Sequence, residues 1–327
     1  MPIGLQGGTE SPGDVIPRVA LAGLIICTIS VVIWRYRERR YLLFGWLWFL
    51  ITLIPVIGIT QAGRQAMADR YGYYFLTGLF IIAVWGGCEL FARAKLSNGA
   101  VAALTLAILA AYGSTTYVQL QYWRNSYTLF SHALEVTSRN GIAEANLGAS
   151  LMEAGRPDLA GPHLEAAAQY IPDLSIAHYN LGVLLQQENR PELAKHEYEL
   201  ALPNSADEIE LAQTRSNLGF VLLQLNEIRP AIEQFSGALQ INPLKQNSLI
   251  GRGMARYRLG DLDGALADFS SAAQIEPTAA AEFWLGRVFE DKGRLQQGAS
   301  AYQAALQLAP GMAEAQQRLD AIRAKAY

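Results

Sequence analysis

The sequence predicts an all-α chain in two parts, four transmembrane helices followed by an α-solenoid. Three observations carry this expectation. Long uncharged runs crowd the first 120 residues and are missing from the remainder. Charge divides at the same place: residues 1–120 hold nine Lys/Arg against five Asp/Glu, and the remainder holds seventeen against twenty-four. From Gly141 on, a pattern of small and large residues returns about every 34 positions. Two regions of opposite charge and different composition read as two domains. The formal net charge is −3 and the mean hydropathy +0.13. An acidic second part argues against nucleic acid as a partner, because phosphate binding needs a basic face. The two cysteines, Cys27 and Cys88, lie in apolar runs and read as small buried hydrophobes, not as a disulfide or metal pair.

Residues 1–17 are rich in Gly and Pro, have no basic leader and read as a loop. The membrane domain follows over 18–120, with helices at about 19–34, 41–59, 73–92 and 100–118. The first run, Val19 to Trp34, is sixteen residues without a charge. At about 1.5 Å per residue it is slightly short for a hydrocarbon core of about 30 Å, and Arg18 and Arg35 can snorkel at its ends. In the second run, Trp46 and Trp48 suit an interfacial belt, while Pro55 and Gly58 loosen the helix near its end. Glu89, near the end of the third run and beside Arg93 and Lys95, reads as an acid at headgroup depth. The loops at 35–40 and 93–95 carry six Lys/Arg against two, Arg64 and Arg70, in the loop between the second and third runs. That bias puts the first two loops in the cytoplasm and the C-terminal half on the other side. The expectation is an integral protein of a bacterial inner membrane or of the endoplasmic reticulum, its repeats periplasmic or lumenal and its first partner the bilayer.

A linking helix is expected over 121–140, with Phe130 and Ala133 in the large and small slots of an incomplete repeat. About five repeats follow over 141–311, and residues 312–327 read as a capping helix. Gly148, Gly182, Gly219, Gly253 and Gly286 mark the repeats. Twelve residues after each comes a small residue, Ala160, Ala194, Ala231, Ala265 or Gly298. Four further on comes a large one, Leu164, Tyr198, Phe235, Phe269 or Tyr302. Small residues belong where two helices cross closely, and large ones fill the space between. Prolines 172, 243, 277 and 310 stop the second helix of their units; the second unit departs, with Pro203 early and three extra residues after it. Arg156-Pro157, Arg190-Pro191 and Arg229-Pro230 place proline in the first turn of the second helix. This is the tetratricopeptide (TPR) pattern.

No motif of a soluble enzyme, no metal spacing and no catalytic residue is found, and no cofactor is implied. His132, His163, His178 and His196 lie on repeat helices and read as surface or packing residues. The repeat groove is the first candidate site, with a polypeptide as partner. The slot before each Leu-Gly pair reads Asn146, Asn180 and Asn217, then Gly251 and Trp284. An amide can donate to a carbonyl and accept from an N–H, so a row of them reads backbone without reading sequence. The competing reading is that each Asn bonds locally. Tyr179, Met254, Tyr257 and Phe283 complete the groove set and make its later part more apolar. The first three slots resemble the asparagine ladder of the O-linked N-acetylglucosamine transferase array, which implies an extended peptide.

The second candidate is the polar island Gln61 to Phe75, with Arg64, Asp69, Arg70 and Tyr71. Residues 45–86, followed by YWRNSYTLFSHALEVTSRN and the repeats, resemble the C-terminal portion of membrane-and-TPR glycosyltransferases of the GT-C type, similar to protein O-mannosyltransferases. Met67-Ala68-Asp69-Arg70-Tyr71 carries the resemblance most specifically. It implies a polyprenyl-phosphate sugar as partner, with Arg64 and Arg70 on the lipid phosphate and Asp69 orienting Arg70. Such enzymes keep a catalytic carboxylate in an early acidic loop, and these four spans have none. The resemblance therefore implies an acceptor- and lipid-facing part that is not active alone. A membrane-anchored scaffold that binds polypeptides is the first expectation and this enzyme fragment the alternative.

Overall fold

The computed structural model describes residues 12–54 and 72–325. Two compact units divide the chain, one over Ile3–Arg124 and one over Asn125–Tyr327. The described elements of both are helical.

The first unit holds α1 (Pro12–Arg35), α2 (Arg40–Leu53), α3 (Gly72–Arg93) and α4 (Asn98–Tyr122). Helix α1 begins inside the stretch expected as a loop, with Pro12 at its first position, where a missing N–H costs nothing. Among the described residues, two helices are long and apolar enough to cross a membrane, Tyr74–Arg93 and Asn98–Tyr122. Ala20–Arg35 and Arg40–Leu53 are shorter apolar helices, so the expected four spans become two of full length and two short ones. Helix α2 has 14 residues, about 21 Å of helix, within the described residues. Pro55 and Gly58 lie outside the described residues.

Helices α2 and α3 meet backbone to backbone. A Cβ on Gly45 would stand 2.5 Å from the Gly78 carbonyl oxygen, so no side chain fits at this crossing. Trp46 is 5 % exposed and donates its Nε1–H to Ser30 Oγ of α1 at 2.9 Å. Trp48 donates to the Tyr74 carbonyl at 2.8 Å. Trp46 thus fastens helices together where an interfacial belt was expected. Glu89, expected as an acid at headgroup depth, is the hub of a polar cluster: it accepts from Tyr41 Oη at 2.7 Å and pairs with Arg39 and Arg93, each at 2.9 Å. Cys27 and Cys88 are free but exposed, against the expectation of burial, because the apolar faces of these helices point outward.

The second unit opens with α5 (Ser126–Val136), capped by Asn125, whose Oδ1 accepts from Thr128 N in a capping box. Trp123 to Asn125 separate α5 from α4, so the expected link over 121–140 is an eleven-residue helix with a break before it. Five helix pairs follow: α6 (Gly141–Glu153) with α7 (Pro157–Tyr170), α8 (Ser175–Gln187) with α9 (Pro191–Ala201), α10 (Glu208–Gln224) with α11 (Ile228–Ile241), α12 (Gln246–Arg258) with α13 (Leu262–Ile275), and α14 (Ala279–Asp291) with α15 (Leu295–Leu308). Helix α16 (Ala313–Lys325) covers the last pair through Leu319 and Ile322.

Each pair closes on its marker glycine. A Cβ on Gly148 would stand 2.6 Å from Leu164, and on Gly182, Gly219 and Gly253 it would meet the rings of Tyr198, Phe235 and Phe269 at 2.7, 2.7 and 2.6 Å. Those large side chains, with Tyr302, are fully buried. The turn between the helices of a pair repeats too. Gly155, Asn189, Asn226, Gly260 and Gly293 all take positive φ, from 57° to 80°. The next N–H then reaches back along the helix, as from Arg156 to Leu151 O at 2.9 Å and from Arg294 to Phe289 O at 2.8 Å. This Schellman turn satisfies the free carbonyls at the helix end and favours Gly or Asn at the left-handed position. The three extra residues of the second unit become a 3-10 turn at Leu202–Asn204 before a longer α10.

Candidate peptide groove and the family

The first helices of successive pairs touch one another, α6 with α8, α8 with α10, α10 with α12 and α12 with α14. They form the inner layer of the stack, and the face they share is the groove.

Asn146, Asn180 and Asn217 lie at one register of this layer and are half-buried. Asn146 Nδ2 donates to Ile142 O at 2.8 Å and Asn180 Nδ2 to Ile176 O at 2.9 Å, each four residues back on its own helix. One amide proton is thus engaged locally; among the described residues, the oxygen and the other proton of each have no partner. Asn217 behaves differently. Its Nδ2 donates to Tyr179 Oη at 3.3 Å, and Gln213 Nε2 donates to the same oxygen at 2.9 Å. Burial pushes the Tyr179 hydroxyl pKa up, while these two donors pull it down. Tyr179 therefore bridges α8 to α10 and fixes the third rung.

The later groove is aromatic and cationic. Trp284 stacks on Phe269 with centroids 5.8 Å apart and meets Tyr257 edge-on at 5.4 Å. The Arg287 guanidinium lies 5.5 Å from the Tyr257 centroid and 5.9 Å from that of Trp284. It donates to Tyr257 Oη at 3.1 Å and pairs with Glu314 at 3.2 Å. Tyr257 in turn donates to Asp291; burial first, then that carboxylate, pushes its pKa up. Met254 is half-buried between two core clusters. Phe283 differs from its expected place: it is 8 % exposed, inside the core beside Tyr302 and Leu319, whereas Tyr179 at the same register is half-buried. Trp284 and Arg287 take that role. Gly251, in the fourth rung, lies under the Phe235 ring.

Two polar features were not foreseen. In the first three repeats a strut links the first helix to its partner at a fixed register: Glu144 with His163 Nδ1 at 2.6 Å, His178 Nδ1 with Glu197 at 2.7 Å, and Arg215 with Gln234 at 3.1 Å. Two of the four histidines are thereby explained. The fourth repeat has Leu249 at the first of these positions, and its Asp268 turns to arginines instead. Arg252 grips Asp268 with two bonds, at 2.7 and 3.0 Å, and Arg256 adds a third at 2.9 Å. Arg252 occupies the slot filled by Leu147, Leu181, Leu218 and Leu285 in the other repeats. The repeated Gly/Asn at the left-handed turns was visible in the sequence. The arginine network was signalled only by one charged residue in a leucine slot.

Arg64, Asp69 and Arg70 lie outside the described residues. Among the described residues, no group of three His, Cys, Asp or Glu side chains could hold a metal ion.

A tetratricopeptide-repeat family model matches residues 145–209, 217–280 and 250–313. No curated protein matches the sequence. The structure is similar to that of YrrB, described as a TPR protein with an unusual peptide-binding site, at 21 % identity and a TM-score of 0.50, over 57 % of this chain and 96 % of that one. It is also similar to MamA, at 19 % identity and a TM-score of 0.46, over 51 % of this chain and 97 % of that one. A thermophilic TPR protein from Thermus thermophilus matches at 21 % identity and a TM-score of 0.43, over 56 % of this chain and 98 % of that one. At 21 % identity the likeness to YrrB is one of fold. These matches lend nothing to the resemblance to GT-C glycosyltransferases or to the O-linked N-acetylglucosamine transferase. The family model agrees with the repeated helix pairs, and residues 145–313 are a tetratricopeptide-repeat array.

Proposed function

We propose that the chain is a membrane-anchored scaffold whose repeat groove holds an extended stretch of polypeptide. The observation that carries the polypeptide is the amide row. Asn146 and Asn180 stand one repeat apart on the inner layer, each steadied by one bond and each keeping a donor and an acceptor. That is the pair a peptide unit needs, whatever its side chain. Stacked repeats offer long curved surfaces of this kind, and YrrB, of the same fold, is described as having a peptide-binding site. Farther along, Tyr257, Trp284 and Arg287 offer flat faces for an apolar or aromatic side chain.

Anchoring draws support from the first unit. Leu24, Val31, Phe80 and Leu106 are each more than 60 % exposed, and α4 has no buried residue. So much apolar surface is costly in water and at ease in lipid. The basic loops at Arg35–Arg40 and Arg93–Lys95 favour a cytoplasmic position for both and a non-cytoplasmic one for the repeats.

The test uses the full chain in detergent and a labelled unfolded polypeptide. The triple variant Asn146→Ala/Asn180→Ala/Asn217→Ala should bind it at least about tenfold more weakly, given roughly 1 kcal/mol for each lost bond. Equal binding by the two proteins, with melting curves unchanged, removes the amide row as the recognition device. Anchoring is tested apart from this: the chain should stay with membranes through an alkaline carbonate wash, and release into the supernatant refutes it.

A further inference from the structure

The first unit has an open cleft between α2 and α3 of about 540 Å³, lined by Arg40, Tyr41, Phe44, Ile81 and Trp85. Its layout is amphipathic. Arg40 and Tyr41 stand at the α2 end of the cleft; Phe44 lies one turn on along α2, with Ile81 and Trp85 one turn apart on α3. Phe44 and Trp85 are 56 % and 57 % exposed, so the wall is open to the surroundings.

The charges nearby are partnered unequally. Arg39 and Arg93 both pair with Glu89. Arg37 lies over the Trp34 ring at 5.1 Å. Arg40, among the described residues, has no carboxylate and no ring, and the first turn of α2 carries no acidic residue. Tyr41 donates its hydroxyl to Glu89, and its ring lies beside Gly86. An unpaired guanidinium beside an apolar trough suits one kind of ligand, an anion with a hydrocarbon tail.

We propose that this cleft binds an anionic glycerophospholipid, its phosphate on Arg40 and one acyl chain along Phe44, Ile81 and Trp85. The site rests on the membrane-anchored reading. It belongs to the leaflet that meets the Arg35–Arg40 loop, where anionic lipid and basic residues attract. Its chemistry excludes a tail-less phosphate as the preferred ligand, because three of the five lining residues offer nothing to one.

The experiment is lipid retention by the full chain, purified in detergent and stripped of lipid, then offered phosphatidylglycerol or phosphatidylcholine and read by native mass spectrometry. The wild type should retain phosphatidylglycerol preferentially, and excess inorganic phosphate should not displace it. Arg40→Gln should cut that preference about fivefold, the effect of one basic residue at the surface. Arg37→Gln, in the same loop but committed to Trp34, should leave it intact, and Trp85→Ala should weaken retention of both lipids. Equal retention of the two lipids by the wild type, an Arg40→Gln protein that matches it, or displacement by inorganic phosphate each overturns the site. A chain that survives the carbonate wash and fails these tests loses only this site. A chain that washes off loses the anchor as well.

Discussion

The two units are built as inversions of each other. In the repeat unit the large side chains face inward: Tyr198, Phe235, Phe269 and Tyr302 are fully buried, each on a glycine of the partner helix. In the first unit Leu24, Val31, Phe80 and Tyr112 face outward, and what lies between the helices is a glycine crossing, Trp46 on Ser30, and the Glu89 hub. Water rewards the first arrangement, since burial of apolar area drives it. Helices that meet in lipid gain nothing from hiding apolar area and use small residues and hydrogen bonds for cohesion. On the membrane-anchored reading proposed above, the same helix type carries opposite solvent instructions within one chain.

The sharpest break in this comparison is at Asp268, whose side chain is 4 % exposed within the solenoid core. Asp268→Ala takes from Arg252 and Arg256 their shared buried carboxylate, leaving only Ser236 to the one and the Gly264 carbonyl and Asp261 to the other, and should cost about 3 kcal/mol in a denaturant melt. A cost below about 1 kcal/mol would mean the arginines find water without it. Next comes a paired glycine test. Gly219→Ala puts a methyl 2.7 Å from the Phe235 ring, and about 1–3 kcal/mol is expected, because a ring can shift. Gly45→Ala meets a backbone oxygen of α3, which cannot turn aside. Spin labels on α2 and α3 should therefore move apart in Gly45→Ala, while labels on α10 and α11 hold their distance in Gly219→Ala; the reverse would end the claim that the two cores differ in kind.

The smallest effect concerns Glu282, in the fifth repeat at the register where Glu144, His178 and Arg215 carry the struts. The opposite position there is Ala301, and burial pushes the Glu282 pKa above its ordinary value of 4.5. A raised carboxyl favours the fold below the ordinary value, and that contribution fades as pH rises through the folded pKa. The wild type should lose stability over that window relative to Glu282→Gln. Parallel pH profiles for the two would contradict it.

Much of the solenoid was legible because its code is steric. A glycine and a ring sixteen positions apart leave a mark on the sequence that no other need of the chain imitates. The slot before each Leu-Gly pair puts Asn146, Asn180 and Asn217 at one register of the inner layer, and a peptide there remains the proposal. At Phe283 and Trp284 two adjacent aromatics offered no sign that Phe283 turns into the core. Arg252 and Asp268 stand on different helices, and nothing in residue order announces that they meet. In the first unit, hydropathy marks where helices run but not how they turn. Trp46 and Trp48 are two residues apart and have different fates.

One detail of the array reaches beyond its stability. From marker glycine to large residue the count is the same in every repeat, whereas from one repeat to the next it changes with the turn at Leu202–Asn204. Inserted or deleted codons are therefore filtered by where they fall. Within a helix pair a single codon pulls the ring off its glycine; between pairs, three extra residues only draw out a bend and lengthen α10. The joints are where such a gene can change length and its product still fold.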